Sequence, residues 1–171
     1  MPYSLSGNGL FYSDPIYTGL LSFFIFCVGV CMGSFASAIS YRTIRRESWI
    51  VSHSCHSAAR SRCPQCDHPL GVLDLIPVLS WIFLGGKCRY CRKSISCLYP
   101  ALEFLSAIIL LAYFLFVGYQ QTLAQNVLFV VFLPFFIAFI GSLFQKVHDR
   151  PSSLWIMGLL STCGMIILFL I

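Results

Sequence analysis

The sequence has very little charge for its length. Only 10% of its 171 residues are charged, only six of those are acidic, and the first Lys or Arg is Arg42. The mean hydropathy is +0.82. A soluble domain of this size needs much more polar surface, so the soluble globular class is excluded. Because residues 1–15 lack Lys and Arg, they do not have the positive start of a cleaved signal peptide, and we expect the first apolar run to be a retained helix.

Long apolar runs dominate the chain. A helix needs about 20 apolar residues to cross the roughly 30 Å hydrocarbon core of a bilayer. Four runs reach or approach that length: Ile16–Ile39, Tyr99–Val117, Leu123–Phe144 and Leu154–Ile171. We therefore predict an all-α polytopic membrane protein with about four transmembrane helices. The fourth run is the shortest and ends with the chain, which indicates a fragment of a longer bundle.

Basic residues are confined to two of the loops between these runs. Cytoplasmic loops of membrane proteins are enriched in Lys and Arg. We therefore predict that both loops are cytoplasmic, that residues 1–15 form an extracytoplasmic tail, and that a cytoplasmic domain at 40–98 separates the helix at 16–39 from the helices of 99–171. Topology also accounts for the net charge of +5, so we predict a lipid bilayer and no nucleic acid as partner. Nine of the eleven basic residues follow the first run and two follow the third: Arg42, Arg45, Arg46, Arg60, Arg62, Lys87, Arg89, Arg92 and Lys93, then Lys146 and Arg150.

Four of the nine cysteines form two matched pairs within the first basic loop. Cys63-Pro-Gln-Cys66 and Cys88-Arg-Tyr-Cys91 are C-x-x-C knuckles separated by 21 residues. Each knuckle points two thiolates to one side of a tight turn, and two knuckles can complete a tetrahedral zinc shell with Zn–S distances of about 2.3 Å. The pattern predicts a small zinc-knuckle domain with a structural metal. Basic neighbours would offset the surplus negative charge of the centre: Arg62, Lys87, Arg89 and Arg92.

Disulfides and a thiol redox site are the alternatives for these cysteines. A reducing cytoplasm disfavours disulfides. A redox motif needs only one C-x-x-C pair and a βαβ context, which this sequence does not have. Zinc is favoured over both alternatives.

The segment between the knuckles, Leu70–Leu84, is apolar. Its 15 residues are too few for a comfortable membrane span, and Asp74 and Pro77 interrupt it. If it crossed the bilayer, the two cysteine pairs would lie on opposite sides and could not share a metal. We therefore predict that it lies on the membrane surface or packs over the bundle, with Trp81 at the interface.

An ordered set of short motifs runs from about residue 30 to 105. It begins at the end of the first apolar run, passes through both knuckles and ends in the second run. Its members are Gly33-Ser34-Phe35, Tyr41-Arg42, Ser61-Arg62-Cys63-Pro64-x-Cys66, Ile76-Pro77-x-x-Ser80-Trp81, Gly86-Lys87-Cys88-Arg89-x-Cys91 and Ile95-Ser96-x-x-Tyr99-Pro100-x-x-Glu103. In order and approximate spacing, this set resembles the bacterial prepilin leader peptidases.

The resemblance implies a fold, an activity and a location. That family cleaves the leader from type IV pilins and type II secretion pseudopilins, and then N-methylates the new N-terminus with S-adenosylmethionine. Its cytoplasmic cysteine domain binds zinc, in agreement with the charge argument, and its members lie in the bacterial inner membrane. Residues 99–171 would then begin an incomplete peptidase-like membrane domain. Glu103 is either a wall of the substrate or cofactor pocket, or a snorkelling or knuckle-paired carboxylate.

The aspartates that carry proteolysis in that family are not at their expected positions here. The family places one in D-x-x-x-x-x-x-P-D and one in G-x-G-D, because aspartyl chemistry needs two carboxylates that share a proton. Anchoring the first pattern on Pro151 puts Phe144 and Ser152 at the aspartate positions, and G-x-G-D does not occur. Asp149 is the nearest carboxylate and the candidate catalytic residue. We predict that the chain alone is inactive as a protease.

Two hypotheses follow from these motifs. The first is a degenerate or truncated prepilin leader peptidase acting on prepilins or pseudopilins, or half of a split enzyme whose second chain supplies the missing motif. S-adenosylmethionine is then a cofactor only if methyl transfer is retained. The second is a non-catalytic membrane zinc protein that binds or scaffolds pilins or a pilus or secretion assembly platform.

Overall fold

The computed structural model describes residues 15–46, 61–118, 121–145 and 152–170. Within these ranges the chain forms five α-helices and one 3-10 helix and contains no strand. The all-α fold class predicted from the sequence is confirmed. The helices are α1 (Pro15–Ile44), the 3-10 helix η1 (Val72–Leu75), α2 (Leu79–Phe83), α3 (Leu98–Phe116), α4 (Leu123–Phe144) and α5 (Ser152–Leu170).

Three helices, α1, α3 and α4, are long and apolar enough to cross a membrane. With a rise of 1.5 Å per residue, the 30 residues of α1 extend about 45 Å, which exceeds the hydrocarbon core by about 15 Å. The helix continues five residues past Ile39, the end of the predicted span, and its last turn contains Arg42. The 19-residue α5 covers most of the fourth apolar run. These helices identify a membrane protein.

Small residues bring α1 into close contact with α3. A Cβ built on Gly29 would lie 2.5 Å from the Ala107 Cα, and one built on Gly33 would overlap the Glu103 Cα. Glycine is therefore needed at both positions for the two backbones to approach. α1 also packs against α4, and α4 packs against α5.

At one end of the bundle a hydrogen bond joins α3 to α4. The bundle carries the cysteine domain at the other end. The Tyr113 hydroxyl donates to the Asn126 side-chain oxygen at 2.9 Å, and the Thr122 hydroxyl caps α4 by accepting from the Gln125 amide. At the opposite end, α1 stops and α3 begins beside the knuckles. The apolar core lies between these ends and consists of Ile25, Ala36, Ile39, Leu102, Leu110, Phe129, Leu133, Ile137 and Ala138.

Candidate metal centre and adjoining cavity

The two C-x-x-C knuckles fold as the same structural unit, repeated after 25 residues. The Cys63 amide donates to the His68 carbonyl at 3.0 Å, and the Cys88 amide donates to the Lys93 carbonyl at 2.9 Å. The residue after each second cysteine has a positive φ, which turns the chain back across the sulfurs. Short antiparallel bridges close both units, and the paired residues are Arg62 with Pro69 and Lys87 with Ser94.

The repeated geometry brings the four predicted cysteines together. The sulfur atoms of Cys63, Cys66, Cys88 and Cys91 all lie within 4.8 Å of one another. A tetrahedral shell with Zn–S bonds of about 2.3 Å has sulfurs roughly 3.8 Å apart, so small shifts would complete it. Cys63 and Cys88 are only 1% and 2% exposed. The cluster could hold a metal ion, and its donor set suits zinc.

Two thiols of this cluster have shifted pKa values. Burial raises the pKa of Cys88, but amide hydrogen bonds from Cys91 and Tyr90 and contacts with the other thiols lower it to about 7. The His68 amide lowers the pKa of Cys66, but desolvation and the neighbouring thiols raise it to about 11. The two shifts have opposite signs, because hydrogen bonds among the thiols favour the thiolate at Cys88 and the thiol at Cys66.

Asp74 connects the segment between the knuckles, Leu70–Leu84 (the insert), to the second knuckle. Its carboxylate accepts from the Arg89 Nε at 2.7 Å, the Gly71 amide at 3.1 Å and the Tyr90 hydroxyl at 3.2 Å. Burial tends to raise the pKa of Asp74, but these three donors outweigh it and hold the pKa below its usual value. The stabilisation is therefore present at neutral pH and is lost as the pH falls through the lowered pKa.

Glu103 anchors the other end of the insert. Its carboxylate accepts from the Val78 amide at 2.6 Å, and the side chain is almost fully buried. Val78 has φ 59° and ψ −51°, and the Leu79 amide donates to the Pro77 carbonyl, so Val78 is the centre of a γ-turn. A positive φ is costly for a β-branched residue. The carboxylate of α3 therefore holds a strained turn in place.

A cavity of about 560 Å³ lies between the knuckles, the insert and the ends of α1 and α3. This volume is within the range of small-molecule sites. Two of the basic residues that line it form ion pairs, Arg62 with Asp67 and Arg89 with Asp74. Their charges therefore do not act on the cysteine cluster alone. The charged and aromatic lining residues are Arg42, Arg45, Arg62, Lys87, Arg89, Asp67, Asp74, Glu103, Tyr41, Trp81 and Tyr99.

The structure describes most of the predicted site residues. The four cysteines form the cluster, and Glu103 lines the cavity on its α3 side. Asp149 lies outside the described residues. Trp81 packs over the second knuckle, where its indole nitrogen donates to the Ile95 carbonyl at 3.1 Å.

Comparison with known families identifies this arrangement. Residues 27–117 match the family described as the Bacterial Peptidase A24 N-terminal domain. The chain belongs to this family. The matched residues contain most of α1, both knuckles, the insert and α3, and therefore the whole cysteine cluster and cavity of this A24 N-terminal domain. The resemblance found in the sequence is confirmed.

Three relatives that match this chain share one name. The chain is 38% identical over 101 residues to a protein of Myxococcus xanthus, 35% over 109 residues to one of Bacillus subtilis, and 34% over 115 residues to one of Dichelobacter nodosus. Each is described as a prepilin leader peptidase/N-methyltransferase. The alignments cover 58%, 64% and 56% of this chain but 28%, 41% and 40% of the relatives, so the chain spans less than half of their length. No solved structure matches it significantly.

The resemblance implied a substrate or cofactor pocket with Glu103 in its wall, but neither the role of Asp74 nor the other residues that line the cavity were predicted from the sequence. In the sequence, Asp74 is only an interruption of an apolar segment. The available signal was an isolated carboxylate in that segment, 15 residues before an arginine of the second knuckle. The other lining residues of the cavity had no such signal, because they come together only where α1 ends against the knuckles.

Proposed function

We propose that this A24 N-terminal domain carries a structural zinc ion on Cys63, Cys66, Cys88 and Cys91. The compact arrangement of the four sulfurs supports the assignment. Four thiolates leave no open position for a substrate or water, so the metal stabilises the fold and takes no part in chemistry. Because the knuckle loop contains most of the basic residues, the domain faces the cytoplasm.

The substrates we propose are type IV prepilins or type II secretion pseudopilins at the bacterial inner membrane. The observation that carries this proposal is the cavity beside the metal centre, which lies entirely within the family domain and opens where α1 and α3 leave the apolar bundle. A substrate with a membrane helix and a charged leader would place its junction at this level. The relatives named for prepilin processing support the same substrate class.

Methyl transfer, if this chain retains it, would use the same cavity. S-adenosylmethionine supplies the methyl group when bound, and a cavity of about 560 Å³ has room for a nucleoside-sized ligand. Glu103 is part of the wall and also holds the Val78 turn. Its role is to position the insert that forms one side of the cavity.

Leader cleavage requires carboxylates that this chain does not provide as a pair. One carboxylate must accept the proton of the attacking water while the other protonates the leaving group. The whole sequence contains four aspartates and no G-x-G-D. Two of them, Asp67 and Asp74, are already paired with arginines in the knuckle domain. A second chain carrying G-x-G-D is therefore the partner we propose for proteolysis.

A reconstitution experiment tests this function. The purified chain is placed in lipid with a type IV prepilin, with and without a second chain carrying G-x-G-D, and leader removal and N-methylation are followed by mass spectrometry. We expect no cleavage by the chain alone, no effect of Asp149→Ala, and cleavage when the second chain is added. Cleavage by the isolated chain that disappears in Asp149→Ala would place the active site at Asp149. A prepilin that neither binds nor is processed in any mixture would overturn the proposed substrate.

A non-catalytic membrane zinc protein is the second candidate. The ion pairing of Asp67 and Asp74 with arginines favours it. In this case the chain binds pilins or an assembly platform without processing them. Prepilin that copurifies with the chain but stays unprocessed and unmethylated in every mixture would support this candidate over the first.

A further inference from the structure

The insert between the knuckles exposes a large apolar surface. Val72, Leu73, Ile82 and Phe83 are 85%, 65%, 57% and 83% exposed. In α2, Leu79 is exposed as well and lies on the same helix face as Ile82 and Phe83, because residues three and four positions apart are neighbours on a helix. A continuous apolar patch of this kind marks a surface that is covered by a partner or a membrane.

The polar groups of the insert are turned away from that surface. Asp74 is bound to Arg89 and Tyr90 of the second knuckle, and the Trp81 indole is bound to the Ile95 carbonyl. These contacts fix η1 and α2 against the knuckle domain. The exposed apolar side chains therefore belong to a rigid surface.

The depth of the insert relative to α3 points to lipid as the covering medium. The Val78 amide lies 2.6 Å from the carboxylate of Glu103. Glu103 is five residues into α3, which places it about 7.5 Å along the axis from Leu98. α2 thus begins beside the second turn of a membrane-spanning helix, where the neighbouring Phe104 is itself 50% exposed. The exposed apolar side chains of the insert therefore lie near the knuckle-side end of a helix that is long and apolar enough to cross a membrane and has exposed apolar side chains of its own.

The charges beside the insert match the headgroup region of a bilayer. Lys87, Arg92 and Lys93 are exposed on the second knuckle, which follows the insert in the chain. Anionic headgroups attract basic residues at this level. Exposed apolar side chains in a domain that also exposes Lys and Arg are typical of a segment that lies in the membrane interface.

We propose that residues 72–83 are an interfacial membrane anchor. Their exposed apolar side chains enter the leaflet on the knuckle side, and the anchor holds the metal centre and the cavity against the membrane surface. This inference goes beyond the proposed function, because it requires neither a prepilin nor catalysis.

Fluorescence quenching by brominated lipid tests the anchor in the full chain. One tryptophan is added by Phe83→Trp, and a matched control adds one by Gln65→Trp, at an exposed position on the first knuckle. Both proteins are reconstituted in phosphatidylcholine–phosphatidylglycerol vesicles with bromines at acyl carbons 6 and 7 or 11 and 12, and the signal of the unsubstituted protein is subtracted. We expect the added tryptophan at 83 to be quenched at least about twofold more than the one at 65, and more by the shallow bromines than by the deep ones.

Other results would overturn the proposal. Equal quenching at positions 83 and 65 would mean that the insert is no closer to lipid than the knuckle is, as when a second copy of the chain or another protein covers the patch. Stronger quenching by the deep bromines would mean that the segment is buried within the bilayer rather than lying at its interface. Because both substituted side chains are exposed, neither variant is expected to disturb folding, and metal content checks this.

Discussion

At the scale of single residues, the two Asp–Arg pairs of the knuckle domain differ in their surroundings. The Asp74 side chain is 6% exposed and has three donors, whereas the Asp67 side chain is 71% exposed and lies 3.4 Å from Arg62. Exposed ion pairs contribute little because water screens them, whereas a buried carboxylate with its donors matched contributes more. A substitution in the exposed pair is therefore the control for the same substitution in the buried pair.

We expect Asp74→Ala to destabilise the knuckle domain by about 2 kcal/mol, because it leaves the Gly71 amide and Arg89 without their acceptor. Asp67→Ala should cost less than about 0.5 kcal/mol. Both losses of stability are measured by thermal unfolding at neutral pH, with release of the bound metal as the signal. Equal losses in the two variants would show that the Asp74 contacts do not stabilise the insert.

Metal binding is also decided by single residues. The purified protein should contain about one zinc per chain, and Cys63→Ser or Cys88→Ser should remove it, because three thiolates do not complete the shell. Cys97→Ser is the control, since Cys97 is exposed and lies outside the cluster. Elemental analysis gives the zinc content. Undiminished zinc in both cluster variants would contradict the assignment.

At the scale of elements, the apolar runs predicted the long helices closely but not the length of α1. α4 begins and ends at the residues where its apolar run does, because polar residues flank the run on both sides. α1 continues through Ser40 and Thr43, which are polar in sequence but buried in the structure. The buried Thr43 hydroxyl has a hydrogen-bond partner within the helix, because it donates to the Ile39 carbonyl at 2.7 Å. Hydropathy could not predict this extension, because contacts with the rest of the protein bury it.

The α1–α3 contact gives a prediction at this scale. Gly33→Ala should destabilise the bundle by about 1–3 kcal/mol, because the new methyl group meets the backbone of α3 at Glu103 and the helices must separate. Gly19→Ala is the matched control in the same helix, with nothing within 4 Å of the added carbon, and should be neutral or slightly stabilising. Thermal unfolding in detergent compares them. A loss in Gly19→Ala as large as in Gly33→Ala would contradict close packing as the cause.

At the scale of the whole molecule, the distribution of basic residues predicts the orientation in the membrane. Reporter fusions at Arg60 and Lys146 should give cytoplasmic signals, and a fusion at Gln120 should give an extracytoplasmic one. These three positions lie outside the described residues, so the prediction depends on charge alone. An extracytoplasmic signal at Arg60 would reverse the orientation and would make disulfides between the knuckle cysteines the better interpretation.

The amino-acid sequence by itself determined the membrane class, the long helices and the metal-ligand candidates. Apolar run length and C-x-x-C spacing are local properties, and each is readable within a few residues. Only the tertiary structure decided that Glu103 of α3 holds the turn at Val78, that Asp74 bonds to Arg89, and that a cavity opens between the knuckles and the end of α1. These contacts join residues 15 or more positions apart on different elements, so they exist only after packing has fixed the distance between those elements.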